Sequence, residues 1–208
     1  NLGKVLSQAL YPFSKGVYSE YFSEKSSLNF EEDFIIFELE DLKDKPELQE
    51  IAMLTLIFKI QIAMYKNRHR KKYLVADEAW QLLGDSNVSA SAGFLENIAR
   101  RIRKFNGSLI VGTQGLDDFF TNKCGEAIFY NSDWLISLAQ KEDAIDRAIA
   151  KHPPLKRAEG SLKSVRTRAG QYSEALVKSG AGHTIVRLHL NAELLALFST
   201  DAADFADA

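Results

Sequence analysis

Two short apolar runs that end in polar pairs decide the fold of this chain, YLVADE at 73–78 and SLIVGTQ at 108–114. Continuous apolar runs of this length are typical of strands that are buried on both faces. The segment between them has helical spacing and ends at Asn106-Gly107, with its apolar residues at Phe94, Leu95, Ile98, Ile102 and Phe105. Strand, helix and strand at this spacing predict a parallel crossover in a helix-covered sheet.

The rest of the chain extends this alternation. We predict strands at 34–37 and 134–138, and a helix from Asp44 and Pro46 to about Lys66. That helix is apolar around most of its circumference, so we expect it in the interior. Residues 173–178 and 183–189 flank a turn-rich connection, which predicts an antiparallel hairpin. Asn191 can cap a last helix through about Phe198. We expect one domain over residues 1–200 and a frayed tail over 201–208.

Composition limits the class of protein. The 208 residues are 46% hydrophobic, 11% aromatic and carry a formal charge of −2, which fits a globular domain and excludes a disordered chain. The single Cys124 can form no internal disulfide, which favours a reducing compartment. The most apolar stretch, 51–64, is shorter than the roughly 20 residues that a membrane span needs. A start at Asn1 without a signal peptide indicates a cytoplasmic piece of a longer protein.

The polar pairs that follow the two strands are the candidate site. Ligands of open parallel sheets bind beyond the carboxyl ends of the strands. An apolar strand followed by two acids has the pattern of a Walker B element, in which Asp77 would hold Mg²⁺ through a water and Glu78 would polarise the attacking water. Gln114, after the next strand, can sense the terminal phosphate or orient that water. The structural alternative is that Asp77 only caps the following helix.

The same residues carry a resemblance to a known family. YLVADEAW at 73–80, ARRIRKFNG at 99–107 and LIVGTQ at 109–114 resemble the ATPases of conjugative type IV secretion, in particular the TraC-like group within the FtsK/HerA-like branch of P-loop NTPases. The resemblance covers nearly the whole chain. It implies an α/β fold of RecA-like type, a mostly parallel sheet with a C-terminal antiparallel hairpin and helix. It also implies use of ATP and Mg²⁺. Thr113 is a candidate contact of the nucleotide, and Trp80, just after the acids, is expected to pack either in the core or beside the adenine.

One departure from the family pattern concerns the phosphate-binding loop. The sequence contains no Gly-x-x-x-x-Gly-Lys-Ser/Thr, and its only Gly-Lys pair is Gly3-Lys4, too close to the first residue to form a backbone cradle. We therefore expect a carboxyl-terminal fragment of an ATPase domain that is inactive when isolated.

Arginines complete the candidate site. Ring ATPases often insert an arginine from a neighbouring subunit to neutralise charge in the transition state. Glu96 can pair with Arg100 on the helix surface, whereas Arg101 and Arg103 have no acid at that offset. Arg103 is therefore the finger candidate, with Arg101 second and Arg187 a weaker alternative. The alternative interpretation is that each of these arginines is an ordinary solvated surface residue.

The resemblance also implies partners and a location. It predicts a homo-oligomeric ring, expected to be a hexamer, with other type IV secretion components at the cytoplasmic face of the inner membrane. Three basic clusters, 66–72, 100–104 and 151–168, make contact with nucleic acid possible but do not indicate it, because interleaved aromatic residues are missing. A non-catalytic scaffold module of a secretion complex is the alternative to a motor.

Overall fold

The computed structural model describes residues 2–23, 31–42, 44–78, 90–169 and 171–198. It divides the chain into two compact units, one up to Asn67 and one from Arg68 onward. The expected frayed tail after residue 200 lies outside the described residues, and the boundaries of a single domain over 1–200 stay a prediction.

The first unit is mainly helical. It contains α1 (Leu2–Ser14), α2 (Ser19–Phe22), a 3-10 turn (Glu40–Leu42) and α3 (Pro46–Tyr65). Pro46 occupies the first turn of α3, where its missing N–H costs no hydrogen bond. The predicted boundaries of this helix are confirmed.

Two expectations for the first unit are wrong. Residues 34–37 form no strand: they have no regular secondary structure, and Phe34 and Ile36 are 82% and 74% exposed. The apolar run predicted two buried faces, but its side chains alternate between exposed and half-buried. Nor is α3 an interior helix, because a row of its apolar residues is exposed: Leu54, Phe58, Ile62 and Tyr65. Apolar residues spread evenly around a helix cannot all be covered by neighbours on one side.

Membrane-spanning potential within the described ranges rests on α3 alone. Its 20 residues make it the one helix there that is long and apolar enough to cross a bilayer by length and composition. Core helices of soluble proteins pass the same test, so length and composition alone are weak support for a span.

The second unit begins with the predicted parallel crossover. Its two strands are not buried on both faces as expected, because Tyr73, Val75 and Ile110 are exposed. Strand β1 (Lys72–Ala76) is followed by α4 (Ala90–Arg101), a 3-10 turn (Ile102–Phe105) and β2 (Gly107–Val111). The two strands pair in parallel from Lys72↔Gly107 to Ala76↔Val111. All five residues of the predicted helical stripe, from Phe94 to Phe105, are buried. Asn106 ends the turn in the left-handed conformation with φ of 55°, which asparagine tolerates better than most residues.

The remaining elements build a second, antiparallel sheet. After a 3-10 turn (Leu116–Phe120) come α5 (Lys123–Asn131), β3 (Leu135–Ser137), α6 (Glu142–Lys151), a 3-10 turn (Pro153–Ala158) and α7 (Glu159–Ser164). They are followed by β4 (Thr167–Arg168), β5 (Tyr172–Ser179), β6 (Gly182–Leu188) and α8 (Ala192–Phe198). The hairpin is confirmed, as is the cap of α8, where the Leu194 N–H donates to Asn191 Oδ1 at 2.8 Å.

Strand β3 was expected as the fourth strand of the alternating series. The strand forms, but its partner is β5, which it meets antiparallel with Ile136 opposite Val177. β4 pairs with the same edge of β5, and β6 lies along the other edge. The buried face of this sheet contributes Leu176 to the main apolar core, whose other members are Leu116, Phe120, Ile145, Ala148, Leu155, Ala158, Leu162 and Val165.

Candidate functional site

The two polar pairs predicted from the sequence lie at one edge of the parallel sheet. Asp77 and Glu78 follow β1 directly, and Thr113 and Gln114 follow β2 after Gly112. The ladder continues one step past the strands, because the Gly112 N–H donates to the carbonyl of Ala76 at 2.9 Å. The parallel register therefore brings the carboxylates and the glutamine to the same carboxyl edge.

The carboxylate of Asp77 is held against the backbone of the site. Its Oδ1 accepts the N–H of Glu78 at 2.9 Å and lies 2.9 Å from the place where a β-carbon on Gly112 would stand. Only a glycine directly after the neighbouring strand leaves this carboxylate its space. Oδ2 has no hydrogen-bond partner among the described residues, and a carboxylate oxygen is a ligand that Mg²⁺ prefers.

Glu78 adopts an uncommon backbone conformation. Its φ is +46°, in the left-handed region that costs a residue with a β-carbon roughly 1–2 kcal/mol. Its side chain is exposed. Non-glycine residues in such conformations are often found at functional sites, where surrounding structure holds them in place. The backbone here turns sharply at the second of the two acids.

The turn after β2 is closed by its own polar side chains. Thr113 is half-buried, and its hydroxyl donates to the carbonyl of Gly115 at 2.9 Å. The Gly115 N–H donates in turn to Asp118 Oδ2 at 2.8 Å. Gln114 lies at the exposed tip of this turn. The structure thus gives Thr113 a role in shaping the turn, beside its predicted contact with a nucleotide.

The arginine candidates lie away from the acids. Arg103 is in the 3-10 turn before β2, at the opposite edge of the sheet, and a five-residue strand spans roughly 16 Å. Its guanidinium is 3.7 Å from Asp133 Oδ2, and both side chains are mostly exposed. Arg101 is exposed at the end of α4, and the predicted pair of Glu96 with Arg100 forms at 2.7 Å. Within one chain, the structure does not bring Arg103 to Glu78.

The side chain of Arg187 on β6 contacts residues of the neighbouring strand β5. Its Nε donates to Glu174 Oε1 at 3.0 Å, and its guanidinium lies 4.0 Å from the centroid of the Tyr172 ring. Glu174 is only 9% exposed and its Oε2 accepts the Arg166 N–H at 3.0 Å. The hydrogen bonds from Arg187 and from the Arg166 backbone hold the pKa of the Glu174 carboxyl below its usual value. Arg187 therefore neutralises a buried acid of its own sheet.

Sequence reasoning and structure differ on some parts of the site. Trp80, and the helix that Asp77 would cap in the structural alternative, fall on residues 79–89, outside the described residues. Gly112 and Gln140 contribute to the site but are not among the residues expected from the sequence. A glycine at the end of an apolar strand is a signal for close approach of another group, whereas nothing in the sequence around Gln140 indicates its contact with the turn after β2.

Comparison with known proteins connects this geometry to a family. The model of the TraG P-loop domain family matches residues 4–204. Protein TraC of Escherichia coli (strain K12) is 30% identical in an alignment 202 residues long, which covers 92% of this chain and 23% of that protein. The solved structure of VirB4 of Thermoanaerobacter pseudethanolicus matches with a TM-score of 0.67 at 26% identity, covering 89% of this chain and 49% of that one.

These matches confirm the resemblance and the fold class. The α/β architecture, with a parallel sheet followed by an antiparallel hairpin and helix, is that expected for a P-loop NTPase-type fold. The chain spans 23% of the length of TraC and 49% of the VirB4 chain, so it corresponds to part of each relative.

Proposed function

This chain belongs to the TraG P-loop domain family, and on that premise we propose that it is part of an ATP-hydrolysing motor. The parent protein would energise conjugative pilus assembly and the transfer of DNA or protein through a type IV secretion system. Its similarity to TraC and VirB4 supports this assignment. The structural observation that carries it is the position of Asp77, Glu78 and Gln114 at one edge of the parallel sheet.

Each of these side chains has a role in hydrolysis. Asp77 would hold Mg²⁺ through a water, and the residues fit this cation because Oδ1 is fixed by the Glu78 N–H and Oδ2 faces no described partner. Bound Mg²⁺ would neutralise charge that develops on the phosphates. Glu78 would accept a proton from the attacking water as a general base. Gln114 would orient that water or sense the terminal phosphate.

The phosphate-binding loop would come from elsewhere in the parent. Because the 208 residues contain no Gly-x-x-x-x-Gly-Lys-Ser/Thr, they lack the backbone cradle and lysine that hold the triphosphate. We propose that the isolated chain does not hydrolyse ATP and that Thr113 and Trp80 contribute nucleotide contacts only in the parent.

Assembly of subunits would bring an arginine to the site. In a homo-oligomeric ring, expected to be a hexamer, Arg103 of one subunit would reach the nucleotide of its neighbour, which its position far from Glu78 in the same chain favours. We place the parent in the cytoplasm, peripheral at the inner membrane with other secretion components.

The experiment that tests this function is the Glu78→Gln substitution in the parent. The variant should bind ATP at wild-type affinity and lose nearly all turnover, because the amide cannot accept the proton of the attacking water. Glu96→Gln is the matched control, since Glu96 pairs with Arg100 on α4 and is not part of the candidate site. Wild-type turnover of Glu78→Gln would contradict the assignment of this pair as Walker B.

A second measurement concerns the isolated chain and the scaffold alternative. Phosphate release by the 208-residue chain with ATP and Mg²⁺ should not exceed background, and robust hydrolysis would mean that the phosphate loop has been misplaced. A parent protein without any Mg²⁺-dependent ATPase activity would favour the non-catalytic scaffold module.

A further inference from the structure

The side chain of Gln140 connects the turn that carries Gln114 to the segment between β3 and α6. Gln140 lies between β3 and α6, after Leu138 and Ala139, and is half-buried. Its Oε1 accepts the backbone N–H of Leu116 at 3.1 Å, two residues after Gln114. Leu116 is 4% exposed and belongs to the main core, so the bond lies between the end of the parallel sheet and the beginning of α6.

An ion-pair network joins the same two regions. Arg147 of α6 donates from Nε to Asp117 Oδ2 at 2.6 Å and from Nη1 to Asp143 Oδ2 at 2.8 Å. The hydrogen bonds with Asp117 and Asp143 raise the pKa of the Arg147 guanidinium above its usual value. This network lies at the exposed surface, where salt screens such pairs, whereas the bond from Leu116 to Gln140 is partly shielded from water.

We propose that Gln140 is a positioning residue for Gln114, an inference that rests on the proposed hydrolytic function. Thr113, Gly115 and Asp118 close the turn on itself but do not tie it to the rest of the unit. Beside the Arg147 network, Gln140 ties the turn to the segment after β3 through the backbone N–H of Leu116, which has no other described acceptor. The orientation of the Gln114 side chain toward a water or phosphate then depends on where β3 and α6 hold this turn.

Loss of this hydrogen bond affects the reaction step more than nucleotide binding. Most of the affinity for ATP would come from the phosphate loop of the parent and from contacts with the adenine. A displacement of about 1 Å at a positioning group can cost on the order of 10²-fold in rate. Gln140 therefore influences turnover while leaving the Michaelis constant for ATP nearly unchanged.

The test uses the parent protein with Gln140→Leu, which keeps the size of the side chain and removes the acceptor. We expect turnover to fall between about 10- and 100-fold, with the Michaelis constant for ATP unchanged within about twofold. Gln140→Glu, which keeps an acceptor oxygen, should recover most of the turnover. Gln140→Met replaces Gln140→Leu if thermal unfolding shows that the leucine variant does not fold.

A double-variant cycle decides whether Gln140 acts through Gln114. If it does, Gln114→Ala combined with Gln140→Leu should be no slower than Gln114→Ala alone. Unchanged turnover in Gln140→Leu, or losses that multiply in the double variant, would overturn the proposal. Both results are distinct from failure of the proposed function, in which Glu78→Gln would hydrolyse ATP at the wild-type rate.

Discussion

Oδ1 of Asp77 lies 2.9 Å from the position where a β-carbon on Gly112 would stand, so the glycine directly after β2 determines where the acid directly after β1 can lie. Any side chain at Gly112 forces the Asp77 carboxylate into another rotamer, because carboxylate oxygen and methyl carbon cannot approach this closely. The rearrangement is local, since the obstructing atom is the end of a flexible side chain.

Gly112→Ala in the parent should therefore lower the apparent affinity for Mg²⁺ without unfolding the protein. We expect the Mg²⁺ concentration for half-maximal ATPase activity to rise about 10-fold, as for other groups that orient metal ligands. Gly93→Ala is the matched control, since its added methyl group meets no atom within 4 Å. An unchanged Mg²⁺ titration in Gly112→Ala would show that Asp77 does not hold the cation.

The positive φ of Glu78 predicts an unusual order of stability among its variants. Both Glu78→Gly and Glu78→Ala remove the carboxylate, but only glycine adopts φ of +46° without steric cost. The glycine variant should be more stable by about 1 kcal/mol in urea denaturation. At Glu96, in a right-handed helix, the order should reverse, with alanine about 1 kcal/mol more stable than glycine. The same order at both positions would contradict the strained turn.

Substitution tests whether Arg103 acts on the nucleotide of a neighbouring subunit. Arg103→Ala in the parent should leave ATP affinity nearly intact and reduce turnover on the order of 10³-fold, because the charge is needed only as negative charge develops on the phosphate oxygens. Asp133→Asn is the matched control for the 3.7 Å ion pair, whose loss alone should cost little at these exposures.

Mixing of subunits separates a role in trans from a role in cis. Arg103→Ala subunits combined with Glu78→Gln subunits should regain some activity, since certain interfaces then join an intact Glu78 to an intact Arg103. No recovery at any ratio, with co-assembly verified, would assign Arg103 to its own subunit or to the surface. Arg101→Ala tested in the same way examines the second candidate.

Acid should destabilise the hairpin because the carboxylate of Glu174 becomes protonated. Its hydrogen bonds with Arg187 and with the Arg166 N–H hold its pKa below the ordinary glutamate value near 4.5. A carboxyl with a depressed pKa stabilises the folded state above the unfolded pKa, and this contribution disappears as the pH falls through the folded pKa. Glu174→Gln should therefore be less stable than wild type at pH 7, with a difference that shrinks below about pH 4.5.

Urea denaturation at several pH values measures this difference. Arg187→Gln should show the same convergence with wild type, because it removes the main partner of the same carboxyl. A difference between wild type and Glu174→Gln that stays constant from pH 7 to pH 3 would show that the charge of Glu174 contributes nothing to folding.

The sequence alone determined the elements with strong local signals. Residues 73–76 and 108–112 are continuous apolar runs bounded by polar pairs, and the stripe from Phe94 to Phe105 has a helical period, so their strands and helix were predictable from side-chain spacing. The parallel crossover then fixed which ends of the strands meet. For this reason the sequence alone predicts that Asp77, Glu78 and Gln114 lie at one edge of the sheet.

Which surfaces are covered, and which residues far apart in sequence come into contact, depends on the packing of the whole unit. An apolar run such as 34–37 reads as a buried strand, but pairing depends on a neighbour that the run itself does not encode. The partner of β3 and the bond from Leu116 to Gln140 join residues that are far apart in sequence. Hydrogen-bond partners of this kind are set by packing of the whole unit, for which local spacing carries no signal.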